Sequence, residues 1–435
     1  MVTKRVIGSI KSLRAFNQEV IPERLFELGL IFSSLLQSLT PGKRPSGFVI
    51  GPTNSANQAS AWAKALNAGA RSGNSISTRI SGDGAHEWFE VDYHIKTSDR
   101  VGFEFRERLI NELFLPRKAV LLESLRPYFA FRKRAEGFAA KFAIDDLLLL
   151  RRMGKAVGVV FHGSDIRDPL AHAMRNPNSP FSLDSAAPQA HADHLAEMVK
   201  RSQGNRDLLP KLRAAKIPTF VTTPDLFIEV PDAKWLPAVL DMGRFEAVAT
   251  SSKLFTSEKL RVLYIPSSSW IKSANLITPI LEKLRAEGVI EWANWVENGA
   301  VRHDEITELL ANSDIVVDQF MGVFGVFALE AIASGRIVLT YLDEAHSHHP
   351  TPPHINVTPE TLEREIRRVA IERESTFIRA QKMVLEDGEP RLNFIDVPLD
   401  EGLEAGTNFL CFYHDGRYSA GVMRENLGLI GRKHA

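Results

Sequence analysis

The sequence predicts an α/β protein made of two doubly wound, Rossmann-like units. Three observations lead there. Short apolar runs that read as buried strands alternate with segments of helical period, the pattern of parallel strands joined by crossover helices. The alternation starts twice, near residue 48 and again near 260, with a boundary at about 245–258. Polar loops bearing glycine follow several of the runs, and the carboxyl ends of parallel strands are where such sheets bind ligands.

The elements follow in order. Leu25, Leu28, Phe32 and Leu35 share one face of a helix over 21–38. TPGKRPSG (40–47) ends it with two prolines and two glycines. FVI (48–50) reads as a strand and GPTNSANQAS (51–60) as a loop entering a helix that Ala61, Ala65 and Leu66 continue. AVLL (119–122) is the next strand, and 135–153 a helix ending at Gly154. AVGVVF (156–161) is unbroken apolar sequence, as a strand buried on both faces requires. TFVTT (219–223) is a further strand, and WLPAVLDMGRF (235–245) a last strand and exit. Between them, 168–210 is rich in Pro, Asn, Ser and His and reads as an irregular excursion with a helix near 192–203.

The second series gives strands at RVLYIP (261–266), VIEWANWV (289–296), DIVVDQF (314–320) and RIVLTYL (336–342). Helices are predicted at 272–286, at 303–312, from near Gly325, and at 358–374.

Composition narrows the function classes. At about 150 residues per domain, 435 residues suggest two or three domains. With 44% hydrophobic and 24% charged residues, wholesale disorder is excluded. Fifty-three basic residues balance 53 acidic ones, which argues against a dedicated nucleic-acid binder. A single cysteine, Cys411, excludes a disulfide framework and a cysteine-rich zinc site. The apolar stretches at 29–39 and 145–161 are too short or too charged for a bilayer core of about 20 residues. The N-terminus, MVTKRVIGSIKSLRAF, lacks the apolar centre of a signal peptide. A soluble cytoplasmic protein is expected.

Four groups at strand ends carry chemistry. Gly51, Thr53, Asn54, Asn57 and Gln58 can admit a ligand beside a helix N-terminus, although polar residues there are also ordinary caps. His162, ending a buried strand, can donate to a sugar hydroxyl or a phosphate oxygen. Gly163 permits close approach, and Asp165 can fix the imidazole tautomer or cap the next segment. Ser267, Ser268, Ser269 and Lys272 can contact a diphosphate, and read equally well as a polar loop with a solvated lysine. The densest group is Asp318, Gln319, Gly322, Phe324, Gly325, Val326 and Glu330. Amides at a helix start after Gly322 and Gly325 can take a phosphate, and Glu330 can accept from ribose hydroxyls.

HGSDIR, VTTPDLFIEVPDAKWLP, IPSSSWIKSANLI and DIVVDQFMGVFGVFALEAIASGRIVL, in that order, resemble retaining glycosyltransferases of the GT-B fold, family 4-like. The resemblance covers about 46–375, and the motif G-x-x-x-x-E-A-x-A-x-G at 325–335 is its most specific part. It implies an N-terminal, acceptor-side domain over 1–250 containing the 168–210 insert. A nucleotide-sugar domain would span 251–400, and an extension over 401–435 would pack back on the first domain. It also implies that Glu330 binds the nucleotide ribose, that Lys272 contacts the donor diphosphate and that His162 approaches the donor sugar near its reacting carbon. Gly51, Asn54 and Gln58 would lie near the phosphates and acceptor.

Two departures stand out. Gly322 occupies the place of the first glutamate of an E-x7-E motif, where Asp318 or Gln319 can substitute or the backbone alone can serve. Ser267, Ser268 and Ser269 stand where an arginine is usual. The implied activity is transfer of a sugar from a nucleotide-diphosphate sugar to an acceptor hydroxyl with retention. The acceptor would be a glycan, a lipid-linked molecule or a polymer, and no cofactor is obligatory. The alternatives are a GT-B scaffold that has lost catalysis and a GT-B sugar-nucleotide epimerase. A dehydrogenase is disfavoured, because no G-x-G-x-x-G follows the first strand.

His346, His348 and His349 lack an acidic partner at metal-ligand spacing and are read as a loop cluster. Tyr128, Phe129, Phe131, Arg132, Lys133 and Arg134 form a basic-aromatic patch. It could touch an acidic polymer or a membrane surface, against the plainer reading of a solvated face.

Overall fold

The computed structural model describes residues 28–29, 31–32, 45–68, 74–81, 89–96, 108–129, 140–182, 188–295, 301–343, 354–384, 423 and 427. Most of the helix expected over 21–38, and the histidines at 346, 348 and 349, lie outside them, although 28–29 and 31–32 are helical.

The first sheet contains β1 (Phe48–Gly51), β2 (Ile76–Ser81), β3 (Tyr93–Lys96), β4 (Ala119–Glu123), β5 (Ala156–Phe161), β6 (Thr219–Val221) and β7 (Lys234–Trp235). All pairings are parallel and the spatial order is β3-β2-β1-β4-β5-β6-β7. The order reverses between β1 and β4, as in the doubly wound dinucleotide-binding sheet. The register there is direct, with Phe48 opposite Ala119 and Gly51 opposite Leu122. β1 and β4 are buried throughout, because helices cover both faces.

On one face Leu147 and Leu150 of α2 (Ala140–Arg152) pack with Phe114 and Tyr128. On the other, Trp62 of α1 (Gln58–Ala68) packs with Leu236, Met423 and Leu427. The last two belong to the segment 401–435, whose other residues lie outside the described set.

The second sheet contains β8 (Leu260–Leu263), β9 (Ile290–Trp292), β10 (Ile315–Val317), β11 (Ile337–Thr340) and β12 (Ile355–Asn356). It is again parallel, in the order β12-β11-β10-β8-β9. Read from the other edge this is the 2-1-3-4-5 order of a flavodoxin-like sheet, with its reversal between β8 and β10. Two Rossmann-like domains thus face each other across a cleft, the architecture of the GT-B fold.

β2, β3 and β12 lack the unbroken apolar runs that mark β1 and β5 in the sequence. β2 buries Ser77 and Thr78 completely. The Ser77 hydroxyl donates to Asp92 at 2.8 Å and the Thr78 hydroxyl to the Ile50 carbonyl at 3.1 Å. Polar side chains with such partners can sit in a core, so hydropathy alone misses these strands.

The 168–210 segment is more regular than its composition suggests. It holds α3 (Pro169–Arg175) and α4 (Gln189–Arg206), followed by α5 (Leu209–Ala214). Asp168 caps α3 by accepting from the Leu170 and Ala171 amides, and Pro169 fills the first helical position. At 235–245 the strand is only β7, and Met242 already starts α6 (Met242–Ser251), capped by Asp241.

The basic-aromatic patch is also corrected in part. Tyr128 and Phe129 are core residues, 0% and 2% exposed, and the Tyr128 hydroxyl bonds that of Thr78 at 2.6 Å. Positions 131–134 lie outside the described residues. Among the described residues no helix is long and apolar enough to cross a membrane.

The insert clamps the two domains together. Phe181 and Met198 from the insert bury themselves against Trp270 and Met321 of the second domain. The indole N–H of Trp270 donates to the Pro180 carbonyl at 2.8 Å, and the Asn176 amide donates to the Phe320 carbonyl at 3.1 Å. The ring of His172 bridges the Ser179 hydroxyl (2.8 Å) and the Met321 carbonyl (3.0 Å). Each large apolar side chain so buried stabilises the contact by about 1.5–3 kcal/mol.

Candidate functional site

A cleft of about 990 Å³ runs between the domains, at the carboxyl ends of both sheets. Thr53, Ser124 and His162 come from loops after β1, β4 and β5, while Lys272, Gln319 and Glu330 come from the second domain. The two points of strand-order reversal therefore confront each other, which is where open parallel sheets place their ligands.

The first-domain wall is organised by Glu123, the last residue of β4 and fully buried. One carboxylate oxygen accepts the Thr53 and Asn54 amides at 2.8 and 2.7 Å. The other accepts the Ser55 amide at 3.3 Å and pairs with His162 Nε2 at 2.9 Å. Burial pushes the Glu123 carboxyl up, but the His162 bond and charge and the Asn54 and Thr53 amides outweigh it and hold it below the usual carboxylate range. Burial likewise lowers His162, and the Glu123 bond and charge, with Asp165, more than reverse that. Both shifts favour the charged forms, imidazolium on carboxylate. The His162 ring also stacks on Trp62, with centroids 5.8 Å apart.

Asp165 does not touch the imidazole. Its carboxylate accepts the His162 and Gly163 amides at 3.0 and 2.7 Å and the Ser124 hydroxyl at 2.6 Å. It therefore shapes the turn, and Glu123 sets the tautomer. Sequence reasoning missed Glu123, although it directly follows the AVLL run and the strand-end rule already pointed there.

Gly51 and Asn54 sit behind the wall rather than on it. Gly51 has φ 152°, and a Cβ there would come 2.1 Å from the Thr78 hydroxyl oxygen, so glycine serves the packing against β2. Asn54 is 3% exposed, and its side chain accepts the Ser60 amide and donates to the Glu90 carbonyl. Gln58 lines the cleft, but its amide group is joined to Val239 N–H (2.8 Å) and C=O (3.3 Å), which ties down the segment between the sheets.

The second-domain wall has two polar centres. Lys272 Nζ donates to Asp318 Oδ1 at 2.7 Å, and the Gly325 amide donates to Asp318 Oδ2 at 3.3 Å. A Cβ on Gly325 would meet Asp318 Oδ2 at 2.7 Å and Lys272 Nζ at 2.9 Å. Position 325 must therefore be glycine for this cluster to close. Lys272 keeps further N–H donors on its ammonium. It borders the cleft together with Phe324, Gly325 and Val326, the last opening α7 (Val326–Ala333). Asp318 is committed to this pair. Gln319 faces the cleft with its amide N–H on the Val323 carbonyl at 3.0 Å.

The other centre is Glu330, 4% exposed. Its Oε1 accepts from His303 Nε2 at 2.7 Å. Arg244 donates to His303 Nδ1 at 3.4 Å and to the His303 carbonyl at 2.7 Å, so the ring proton lies on Nε2. Phe89 of the first domain tilts on to the His303 ring at 4.9 Å and touches the wall opposite its own. Nothing in the spacing of His303 and Glu330, 27 residues apart, announces their pairing.

Ser267 and Ser269 border the cleft, whereas Ser268 and Gly322 are not among the described residues that line it. Gly322 has φ 78° and lies against Asp343 and Asn176, at the clamp. Arg126 and Arg201, which the sequence did not single out, also line the cleft.

Neither a protein-family model nor a curated protein matches this chain. Among solved structures it is similar to a UDP-N-acetylglucosamine 2-epimerase, with 11% identity over 90% of this chain and 99% of the other and a TM-score of 0.42. It is also similar to the wall teichoic acid polymerase TagF in a structure soaked with CDPG, with 9% identity over 94% and 98% and a TM-score of 0.38. The strand orders and the cleft themselves define a two-domain protein of the GT-B kind.

Proposed function

We propose that this chain is a GT-B glycosyltransferase that takes a nucleotide-diphosphate sugar as donor and transfers the sugar to an acceptor hydroxyl with retention. The observation that carries the reading is the pair of opposed walls. One presents His162 held on a buried glutamate, and the other a lysine beside a helix start and an acid with one oxygen free.

Glu330 Oε1 is taken by His303, and Oε2 has no hydrogen bond to a described residue, so it can accept from a ribose diol. The remaining Lys272 N–H donors and the first amides of α7, which have no partner within the helix, face the same space and suit a diphosphate. His162 then meets the sugar from the other side. As an imidazolium it donates a hydrogen bond, which stabilises negative charge growing on the leaving oxygen. The Glu123 charge favours this protonated form over the free base.

The cleft-lining carboxylates among the described residues are Asp165 and Glu330. Asp165 is spent on the His162–Gly163 turn and Glu330 stands with His303. The proton of the attacking hydroxyl therefore passes to the departing diphosphate on the same face of the sugar, and configuration is retained.

A panel of nucleotide sugars tests this. Binding by thermal stabilisation, release of nucleoside diphosphate, and retention in the product by NMR are expected. No stabilisation and no release across the panel refutes the enzyme reading. Inversion refutes the mechanism, and isomerisation of the donor with no acceptor present identifies an epimerase instead.

A further inference from the structure

Of the four arginines that line the first-domain wall, Arg167 pairs with Asp225 and Arg79 donates to the Phe89 carbonyl, which leaves two cationic side chains unused by this account. Arg126 stands three residues beyond Glu123, and Arg201 lies on α4 of the insert; both line the cleft. Neither guanidinium forms a hydrogen bond or ion pair with a described residue, and the Arg201 Nε is buried without a partner. The nearby carboxylates are occupied. Asp165 holds the His162–Gly163 turn and the Ser124 hydroxyl, and Glu123 holds His162 and the 53–55 amides.

The two arginines are also placed by rigid means. Ser124 and Leu125 both adopt left-handed backbone, with φ 55° and 49°, a conformation that costs non-glycine residues free energy and gathers at functional sites. It turns the chain after β4 so that Arg126 opens on to the cleft. On α4, Asn205 lies one turn after Arg201 and on the same face. Its amide donates to the Asp165 carbonyl at 2.7 Å and the Ser124 carbonyl at 3.4 Å. The helix is thereby pinned to the same loops that present Arg126. Arg126 is solvent-exposed; desolvation by the cleft wall and then the Arg201 charge lower its guanidinium from its ordinary value, against the pull of Asp165 and Glu123. Like charges held together by fixed backbone fit a shared anion.

We infer that Arg126 and Arg201 form an anion subsite on the acceptor side of the cleft, and that the acceptor carries a phosphate monoester near the attacked hydroxyl. The inference rests on the glycosyltransferase reading, in which the donor diphosphate belongs to the opposite wall. Two forked guanidiniums match the charge and the oxygen geometry of a phosphate dianion.

The test uses the full chain and calorimetric titration with methyl phosphate, dimethyl phosphate and UDP. Methyl phosphate is expected to bind and dimethyl phosphate to bind more weakly. Arg126→Gln and Arg201→Gln should each weaken methyl phosphate about 10- to 100-fold while leaving UDP within about twofold. Arg126→Lys, which keeps the charge but loses the fork, should fall between. Circular dichroism confirms folding of each variant. Absence of methyl phosphate binding to the wild type overturns the inference, as does unchanged affinity in both glutamine variants. Equal loss of UDP binding assigns the arginines to the donor and overturns it too, and stronger binding of the diester overturns the monoester assignment. If the wild type binds methyl phosphate and not UDP, the donor reading of the opposite wall fails, and the arginine variants still decide the anion subsite.

Discussion

Replacing Glu123 by Gln probes the residue that joins structure to chemistry on the first-domain wall. Four N–H donors converge on this buried carboxylate, from Thr53, Asn54, Ser55 and His162. Glutamine keeps the shape but offers one acceptor oxygen and turns an NH2 group toward the remaining donors. If the oxygen stays with Thr53 and Asn54, the Ser55 amide and His162 Nε2 lose their acceptor. Each abandoned buried group costs about 1–3 kcal/mol, and breaking a buried pair by removing one partner costs about 3–5 kcal/mol. These overlap, so a loss of about 3–5 kcal/mol is expected.

The pH dependence has a definite sign. The folded-state value of His162 is raised, so its contribution is complete below the unfolded value and disappears as pH rises through the folded one. The folded-state value of Glu123 is lowered, so its contribution disappears as pH falls through it. The pair stabilises the protein between those limits, and the variant should lose stability there above all. Guanidinium unfolding across pH, with the His162 ring followed by NMR in selectively labelled protein, reads both quantities. A stability change under about 1 kcal/mol together with an unmoved His162 titration would refute the reasoning.

Further outcomes follow from other parts of the cleft. Glu330→Ala should weaken nucleoside diphosphate binding, while His162→Ala should mainly lower turnover; calorimetry and steady-state kinetics separate them, and equal nucleotide affinity in Glu330→Ala counts against the ribose role. Gly325→Ala drives a methyl group into the Lys272–Asp318 pair. Overpacking of this kind costs about 1–3 kcal/mol, and unfolding curves should show it along with reduced diphosphate affinity. Burial, then the Arg167 charge, lowers His172 to about 4. The unfolded chain binds the extra proton between about 4 and the ordinary histidine value, so stability should fall as pH drops through that window. A variant His172→Gln should flatten this part of the stability–pH curve, and an unaltered curve would assign the acid sensitivity elsewhere.

Much of the fold is legible because parallel strands covered on both faces must be apolar from end to end. β1, β5 and β10 satisfy that rule, and β4 and β11 do so up to their last residues, Glu123 and Thr340; all five stand out as runs rich in Val, Ile, Leu, Phe and Ala. β2 and β3 do not, since Ser77 and Thr78 satisfy their polarity through tertiary partners that no local pattern shows. The site divides in the same way. His162, Lys272 and Glu330 are visible because they follow strands or open helices. Their partners Asp318, Glu123 and His303 are set by the meeting of distant loops. Asp318 lies within a visible motif, Glu123 was reachable by the strand-end rule, and His303 depends on packing alone. Gly51 and Asn54 stand at the end of β1 yet are spent on packing and on turn hydrogen bonds, which no local pattern distinguishes from a place on the cleft wall.

The insert's weld at Trp270 has a mechanical consequence. The chain passes between domains near residues 236–259, and the side chains around Trp270 fasten them a second time. Two bodies attached at two separated points keep one easy motion, a swing about the line through both, like a door on a pair of hinges. Among the described residues, Phe89 resting on the His303 ring is then the latch, a contact that gives way far more cheaply than either hinge could spring.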